Sequence, residues 1–355
     1  MTDPAEATGP QLTDQEEDAR RRAEERRGLP EFVGPYRIVR LIDEGSSGRV
    51  YEAHDPNTNR RVALKWLRPD APQDMRDMFI GEAQNAARVE HPNVCPIYGT
   101  GVQDERPYIV MRFYGGTLSD RLRAEVPPPV PTVLRWVRDI ANGLAALHAA
   151  SLVHRDVKPS NVLMDGRTGT VALTDFGLAV PHDLDSGTGV AGTPMYMSPE
   201  QWENGPITPK SDVFNLGVVL YRALTGTHPF GEGHRFDIGA RVLRDEPDFD
   251  RVRQPNHPPE VVSLLREALE KSPSDRPTAR EFADRIDAYL LNFERRAQPR
   301  GARLALQLSA TAPDGTDPAR LQSNLLELYN ALNDYHLALG GSGLKPVSPR
   351  PGAGE

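Results

Sequence analysis

One short stretch concentrates side chains that suit the transfer of a phosphoryl group. Residues 154–163 read His-Arg-Asp-Val-Lys-Pro-Ser-Asn-Val-Leu and lie between a helical pattern and an apolar run. Asp156 can accept a proton or orient a hydroxyl, and Lys158 offers a cation to a transferring phosphoryl group. Asn161 offers a neutral oxygen to Mg²⁺, and Asp175 adds a carboxylate fourteen residues later. The spacing predicts a site that holds Mg²⁺ and a phosphate.

This stretch is too specific to be accidental. Its five fixed residue types, at an ordinary usage of about 5% each, match by chance at roughly 3 × 10⁻⁷ per starting position. Over the whole chain, about 10⁻⁴ chance matches are expected. Coincidence is therefore a poor explanation for the pattern.

Two further signals are weak when each is taken alone. The cluster Gly45-Ser46-Ser47-Gly48 lies between two strand-like runs, where glycines let backbone N–H groups approach phosphate oxygens, although most such clusters are plain turns. Lys65 lies within the strand-like run 61–67 and needs a counter-ion if it faces a cavity. Glu82 on a predicted helix is a candidate partner, although either residue alone is typical of a solvated surface.

The elements that would position these residues come in two blocks along the chain. Strand-like runs dominate the first block, at 37–42, 50–53, 61–67, 94–100 and 108–112, with one helical pattern at 74–88. Helical patterns dominate the second block, at 131–150, 210–225, 259–270 and 278–292. Strands followed by helices predict an α+β protein with two lobes.

The order of these motifs resembles that of the eukaryotic-like serine/threonine protein kinases, and the chain looks like a bacterial member. The family set is a Gly-rich loop, a strand lysine, a catalytic loop, Asp-Phe-Gly (here 175–177) and a Pro-Glu-terminated segment (here 198–200). The resemblance covers about residues 36–292. It implies a small β-rich N-lobe with one helix over 36–112, a hinge over 112–115 and a larger α-helical C-lobe over 116–292.

The resemblance also implies a role for each matching residue. Lys65 would contact the α- and β-phosphates of ATP and pair with Glu82, Asp156 would be the catalytic base, and Lys158 would neutralise the γ-phosphoryl group. Asn161 and Asp175 would hold Mg²⁺, with Mn²⁺ as an alternative. The remaining nucleotide contacts would come from Ile42, Asp43, Glu44, Gly45, Ser46, Ser47, Gly48, Arg49, Val50, Ala63, Met111 and Leu163. Structural support would come from Thr193, from Asp212 beneath the catalytic loop, and from Glu200 paired with Arg276.

The implied activity is transfer of the γ-phosphoryl group of Mg-ATP to serine or threonine hydroxyls of proteins. Lys158 and Gly192-Thr193-Pro194 resemble the serine/threonine branch of the family. Two other interpretations are weaker: a pseudokinase scaffold, which the intact motifs disfavour, and a small-molecule kinase of related fold, which Lys158 and the Gly-Thr-Pro and Ser-Pro-Glu segments disfavour. Thr188, and then Ser186, are candidate autophosphorylation sites whose added charge would pair with Arg155. The alternative is that both are ordinary loop hydroxyls.

The phosphate-binding loop departs from the family pattern at its first glycine, where this chain has Asp43. An anionic side chain near a triphosphate is unfavourable unless it points away, so we expect a raised KM for ATP. Ser47 replaces a larger residue at the loop tip, and Arg112 replaces the usual acid of the hinge. Asn215 and Arg222 also depart from the family and are assigned to a structural helix.

The composition and the two ends set further expectations. Among 355 residues the net charge is −8, which argues against nucleic-acid binding, and no apolar run is long enough to span a membrane. Cys95 is the single cysteine, and the acidic start lacks the apolar core of a signal peptide, so a cytoplasmic protein is expected. We expect a disordered charged leader over 1–35, a linker over 293–316 and a disordered tail over 340–355. Leucines spaced by three and four over 317–339 predict an amphipathic helix that either packs on its own domain or forms a seam with a second copy or a partner.

Overall fold

The computed structural model describes residues 28–45, 48–124, 127–175, 194–252 and 258–293, apart from the side chain of Glu82. The chain divides into two compact units. Of the described residues, 28–88 and 96–113 belong to the first unit, and 89–95, 114–175, 194–252 and 258–293 belong to the second. The predicted leader, linker, C-terminal helix and tail lie outside the described residues, apart from the last residues of the leader and residue 293.

The first unit is an antiparallel sheet with one helix. Its six strands are ordered β1-β2-β3-β4-β6-β5. They are β1 (Phe32–Val33), β2 (Tyr36–Gly45), β3 (Gly48–Asp55), β4 (Arg60–Leu67), β5 (Ile97–Gln103) and β6 (Arg106–Arg112), and the helix is α1 (Gln73–Ala86). Apolar side chains of these strands form one buried cluster, which includes Val62, Leu64 and Trp66 of β4. Burial of this cluster explains why the strands pair in this register.

The hairpin between β2 and β3 is shaped by a glycine. Gly45 and Gly48 face each other at its tip, and the register of β2 shifts twice between Ile38 and Asp43. Gly48 has a φ of +147°, and a Cβ atom on it would lie 2.1 Å from the carbonyl oxygen of Trp66. Only glycine fits there, because any side chain would collide with the backbone of β4.

The second unit is mainly helical. It has a small sheet of β7 (Gly116–Thr117), β8 (Val162–Met164) and β9 (Val171–Leu173). The named helices are α2 (Leu118–Leu122), α3 (Val130–Ala149), α4 (Pro199–Trp202), α5 (Pro209–Thr225), α6 (Arg235–Arg244) and α7 (Pro259–Ala268). A further helix, α8, covers the described residues 279–293. Short 3₁₀ turns lie at Pro159–Asn161, Pro194–Tyr196 and Pro273–Asp275.

Helix α5 forms the centre of the second unit. Thr208 caps it in a capping box with Ser211, Pro209 occupies its first turn, and Gly226 ends it in the left-handed conformation. Most of its seventeen residues are buried, and it packs against α3 and α7. Because both ends are capped and the body is apolar, α5 is a rigid support for the loops that lie against it.

The predicted fold class is confirmed: the chain is α+β, with a β-rich unit that contains one helix and a larger helical unit. The predicted strand at 94–100 is wrong at its start, because Val94 forms an isolated bridge with Leu173 and belongs to the second unit. Strand β1 and helix α6 were not predicted. Within the described ranges, no helix combines the length and the apolar character needed to cross a membrane.

Candidate active site

In the second unit, the loop that follows α3 is held by a buried aspartate. Asp212 lies in the first turn of α5 and is fully buried. Its carboxylate accepts hydrogen bonds from the backbone N–H groups of His154 and Arg155, each at 2.8 Å, and lies 2.8 Å from Nε2 of His148. Arg155 adopts a left-handed φ of +69°. These bonds stabilise an otherwise unfavourable backbone conformation directly before Asp156.

His154 fixes the loop from inside the unit. Its ring is fully buried, and its Nδ1 accepts a hydrogen bond of 3.3 Å from the backbone N–H of Asp156. Burial lowers the pKa of His154 below its usual value, although Asp212 and Asp156 act in the opposite direction. The imidazole is therefore neutral at pH 7 and acts as a hydrogen-bond acceptor.

Asp156 lies at the centre of a small polar cluster. Its Oδ2 is 2.6 Å from Nζ of Lys158 and accepts a hydrogen bond of 2.9 Å from Nδ2 of Asn161. The same Nδ2 donates to the backbone oxygen of Asp156 at 2.8 Å. The side chain of Asp156 is 29% exposed, so its carboxylate can meet a hydroxyl from solvent. A carboxylate beside a lysine can receive a proton while the cation faces a phosphate.

Asn161 and Asp175 have the chemistry of a magnesium site. The two hydrogen bonds of Nδ2 fix the amide of Asn161 so that Oδ1 is the atom it offers to a cation. Asp175 follows Thr174, whose N–H donates to the Asn161 carbonyl at 3.0 Å. In the described part of the chain, no three His, Cys, Asp or Glu side chains form a metal-binding group. Mg²⁺ does not require one, since it commonly takes one or two protein oxygens with phosphates and water.

In the first unit, Lys65 is a buried cation in the middle of the sheet. It lies on β4, pairs in register with Val50 of β3 and Ile109 of β6, and is only 4% exposed. Glu82 lies on α1, but its side chain is outside the described atoms. The predicted pair of Lys65 and Glu82 therefore stays a prediction. A buried lysine that borders the Gly-rich hairpin is well suited to an anionic ligand.

The remaining nucleotide-contact candidates of the first unit lie on three strands. Ile42, Asp43, Glu44 and Gly45 are on β2, Gly48, Arg49 and Val50 are on β3, and Ala63 pairs with Met111 between β4 and β6. Ser46 and Ser47 lie outside the described residues. Leu163 lies on β8 of the second unit, and the predicted hinge 112–115 contains the boundary between the two units.

The carboxylates of the hairpin are bound within the hairpin itself. Asp43 accepts a hydrogen bond of 2.9 Å from the N–H of Glu44, and Glu44 forms an ion pair of 2.8 Å with Arg49 on the opposite strand. Both members of this pair are about half exposed, so it contributes little to stability. Its effect is to offset one of the two negative charges near the Gly-rich turn.

The structure brings Glu200 and Arg276 together as a buried pair. Nη1 and Nη2 of Arg276 donate to the two oxygens of Glu200 at 2.7 and 2.9 Å, and the Ser211 hydroxyl donates to Oε1 at 2.6 Å. Burial alone would raise the pKa of Glu200, but these donors outweigh it and hold the pKa below its usual value. Thr193, Ser186 and Thr188 lie outside the described residues.

Sequence reasoning missed the side chains that hold residues 194–198. His228 donates from Nε2 to the carbonyl of Met195, and Arg222 donates to the Tyr196 hydroxyl at 3.0 Å. Gln201 and Asn215 bind the same segment. The available signal was a polar residue inside an apolar run: Asn215 interrupts the buried stretch 213–220 of α5.

These features define a class of protein. A family model described as "Protein kinase domain" matches residues 36–285, which is most of the chain. The chain belongs to the protein kinase family, and its resemblance to the bacterial serine/threonine kinases is confirmed by the relatives below.

Curated relatives carry the names of bacterial serine/threonine kinases. Serine/threonine-protein kinase PrkC of Bacillus subtilis is 36% identical over 273 residues, which is 74% of this chain and 42% of that protein. Serine/threonine-protein kinase pkn3 of Myxococcus xanthus is 33% identical, and the match covers 79% of this chain and 55% of that protein. DNA damage-responsive serine/threonine-protein kinase RqkA of Deinococcus radiodurans is 34% identical, and the match covers 84% of this chain and 46% of that protein. This chain thus spans about half the length of these relatives.

Proposed function

We propose that this chain is an active serine/threonine protein kinase, which transfers the γ-phosphoryl group of ATP to hydroxyls of protein substrates. The observation that carries the proposal is the cluster of Asp156, Lys158 and Asn161 on a loop that Asp212 holds from below. The names of the relatives favour a serine/threonine kinase over a pseudokinase scaffold.

The proposed reaction uses the residues of this cluster as follows. The Asp156 carboxylate orients the acceptor hydroxyl and takes its proton, while the hydroxyl oxygen forms a bond to the γ-phosphorus. The bond from the γ-phosphorus to the bridging oxygen breaks, and ADP leaves with that electron pair. Lys158, whose Nζ lies 2.6 Å from Oδ2 of Asp156, offsets negative charge on the transferring group.

Asn161 and Asp175 are the residues proposed to hold Mg²⁺, and Mn²⁺ has the same ligand preferences. When bound, the ion neutralises phosphate charge and draws the triphosphate into a fixed orientation. The chain's own contribution is to place the two oxygen ligands: Asn161 is held by its bonds to Asp156, and Asp175 follows Thr174, whose N–H is bound to the Asn161 carbonyl.

In the first unit we assign Lys65 to the α- and β-phosphates and the β2–β3 hairpin to the triphosphate. The burial of Lys65 and the close approach of Gly48 to β4 support this assignment. The buried pair of Ala63 and Met111 supports an apolar contact with the adenine. We further propose Thr188 and Ser186 as autophosphorylation sites, and residues 317–339 as a helix that packs on the chain, on a second copy or on a partner.

The proposed function is tested by incubating the protein with labelled ATP, Mg²⁺ and a generic basic protein. We expect label on serine and threonine residues of the acceptor. Asp175→Ala should lower the transfer rate by about a hundredfold or more, because a metal ligand is removed. Asp237→Ala, at an exposed carboxylate on α6, is the matched control and should retain full activity. Transfer that is equal in Asp175→Ala and the control, or no transfer by the unmodified protein, would contradict the proposal.

A further inference from the structure

A buried amide holds the segment that leads into α4. Asn215, on the central helix α5, is only 1% exposed. Its Nδ2 donates to the backbone oxygen of Tyr196 and, at 3.0 Å, to Oε1 of Gln201. Asn215 therefore ties the 3₁₀ turn Pro194–Tyr196 and the helix α4 to the same point of α5.

A second amide continues this connection to the catalytic loop. Gln201 accepts with Oε1 from the N–H of Ser198 at 2.9 Å and from the Ser198 hydroxyl at 3.1 Å. Its Nε2 donates to the backbone oxygen of Arg155 at 2.7 Å. Arg155 directly precedes Asp156, so a single side chain contacts both residues 194–198 and the loop that carries the proposed base.

The donor and the acceptor of every hydrogen bond in this network are determined. The N–H of Ser198 can only donate, so the atom of Gln201 that faces it must be oxygen. The atom of Asn215 that faces this oxygen must then be nitrogen, and the other end of Gln201 must donate to the Arg155 carbonyl. A carboxylate at position 201 or 215 would place an oxygen against a carbonyl oxygen, so this hydrogen-bond network requires two amides.

From this geometry we propose that Gln201 and Asn215 are positioning residues that hold the segment 194–198 in a fixed position relative to Asp156. The inference rests on the proposed function, because it gives the segment the task of presenting the acceptor hydroxyl. The segment is held at further points by His228 and Arg222, and the buried pair of Glu200 and Arg276 secures α4 separately. Gln201 joins the segment directly to the catalytic loop, and Asn215 fixes both Gln201 and Tyr196 on α5.

The test compares Gln201→Glu with the unmodified protein in steady-state kinetics, with a protein or peptide acceptor and ATP varied separately. Gln201 is partly exposed, so the variant is expected to fold. We expect kcat/KM for the acceptor to fall about 10- to 100-fold while KM for ATP changes less than about twofold, because an oriented hydrogen bond near the reacting group is lost. Asn215→Asp should act in the same direction. Asn204→Asp, the same change at an exposed residue just after α4, is the control.

A pH profile separates positioning from a general structural defect. Protonation of the new carboxyl in Gln201→Glu restores a donor toward the Arg155 carbonyl, so its activity relative to the unmodified protein should rise between pH 7.5 and 5.5. A folded Gln201→Glu variant with an unchanged kcat/KM for the acceptor would overturn the inference. So would a variant in which kcat/KM falls equally for the acceptor and for ATP and activity does not rise at low pH. If the unmodified protein transfers no phosphate, the proposed function itself is refuted.

Discussion

The buried pair of Glu200 and Arg276 yields the sharpest prediction about stability. Arg276 is fully buried and donates to both oxygens of Glu200 and to the backbone oxygens of Lys210, Glu270 and Lys271. In Glu200→Gln an NH₂ group replaces one acceptor oxygen and faces the guanidinium, which leaves a buried charge without its counter-ion. Removing one partner of such a pair costs about 3–5 kcal/mol of unfolding free energy.

Urea unfolding measures this loss, and the chain offers a matched control. Glu267 forms a similar bidentate contact with Arg285, but both side chains are about 40% exposed, so Glu267→Gln should cost less than about 1 kcal/mol. The pKa of Glu200 is lowered in the folded protein, so the stability from the pair is complete above pH 4.5 and is lost as the pH falls through the folded pKa. The difference between Glu200→Gln and the unmodified protein should shrink over that range. Equal losses in the two variants, or a difference that does not depend on pH, would refute the reasoning.

Three further predictions concern the hairpin and a buried imidazole. Gly48→Ala should destabilise the protein and raise KM for ATP, since its Cβ would collide with the Trp66 carbonyl; an unchanged melting temperature would contradict this. Asp43→Gly should lower KM for ATP because it removes a negative charge near the triphosphate, and an unchanged KM would show that this expectation is wrong. Burial lowers the pKa of His228 against the opposing effects of Met195 and Glu232, so the unfolded chain takes up the proton first, and stability should fall as the pH drops below 6.5. His228→Gln should reduce this pH dependence in urea unfolding.

The motifs of the candidate site could be predicted from the sequence because each is contiguous. Asp156, Lys158 and Asn161 lie within six residues, and local spacing alone places their side chains in one cluster. The contact of Asp212 with His154 joins residues that are 58 positions apart, and only the resemblance to a family suggested it. The bonds of Gln201 had no local signal, and the signal for Asn215 was only a polar residue inside an apolar run, because the partners of both are fixed by the packing of α4 against α5 and the catalytic loop.

The fold shows the same division between local and long-range information. Helices α3 and α5 were predicted to within one residue, because their apolar periodicity is long and their ends carry proline. Strand β1 was missed because it has only two residues. Helix α6 was missed because it buries only Ile238, Gly239 and Val242. The predicted strand began too early because Val94 and Cys95 are apolar, although their partner is Leu173, which lies with them in the second unit.

The central claim is that the Asp156 carboxylate receives the proton of the acceptor hydroxyl. Its most direct test is to measure Mg-ATP binding and single-turnover phosphoryl transfer on the same preparation of Asp156→Asn, which keeps the shape of the side chain. The account predicts an ATP Kd within about threefold of the unmodified protein and a transfer rate lower by about 10²–10⁴-fold. A variant that binds Mg-ATP and still transfers phosphate within about tenfold of the normal rate would contradict it.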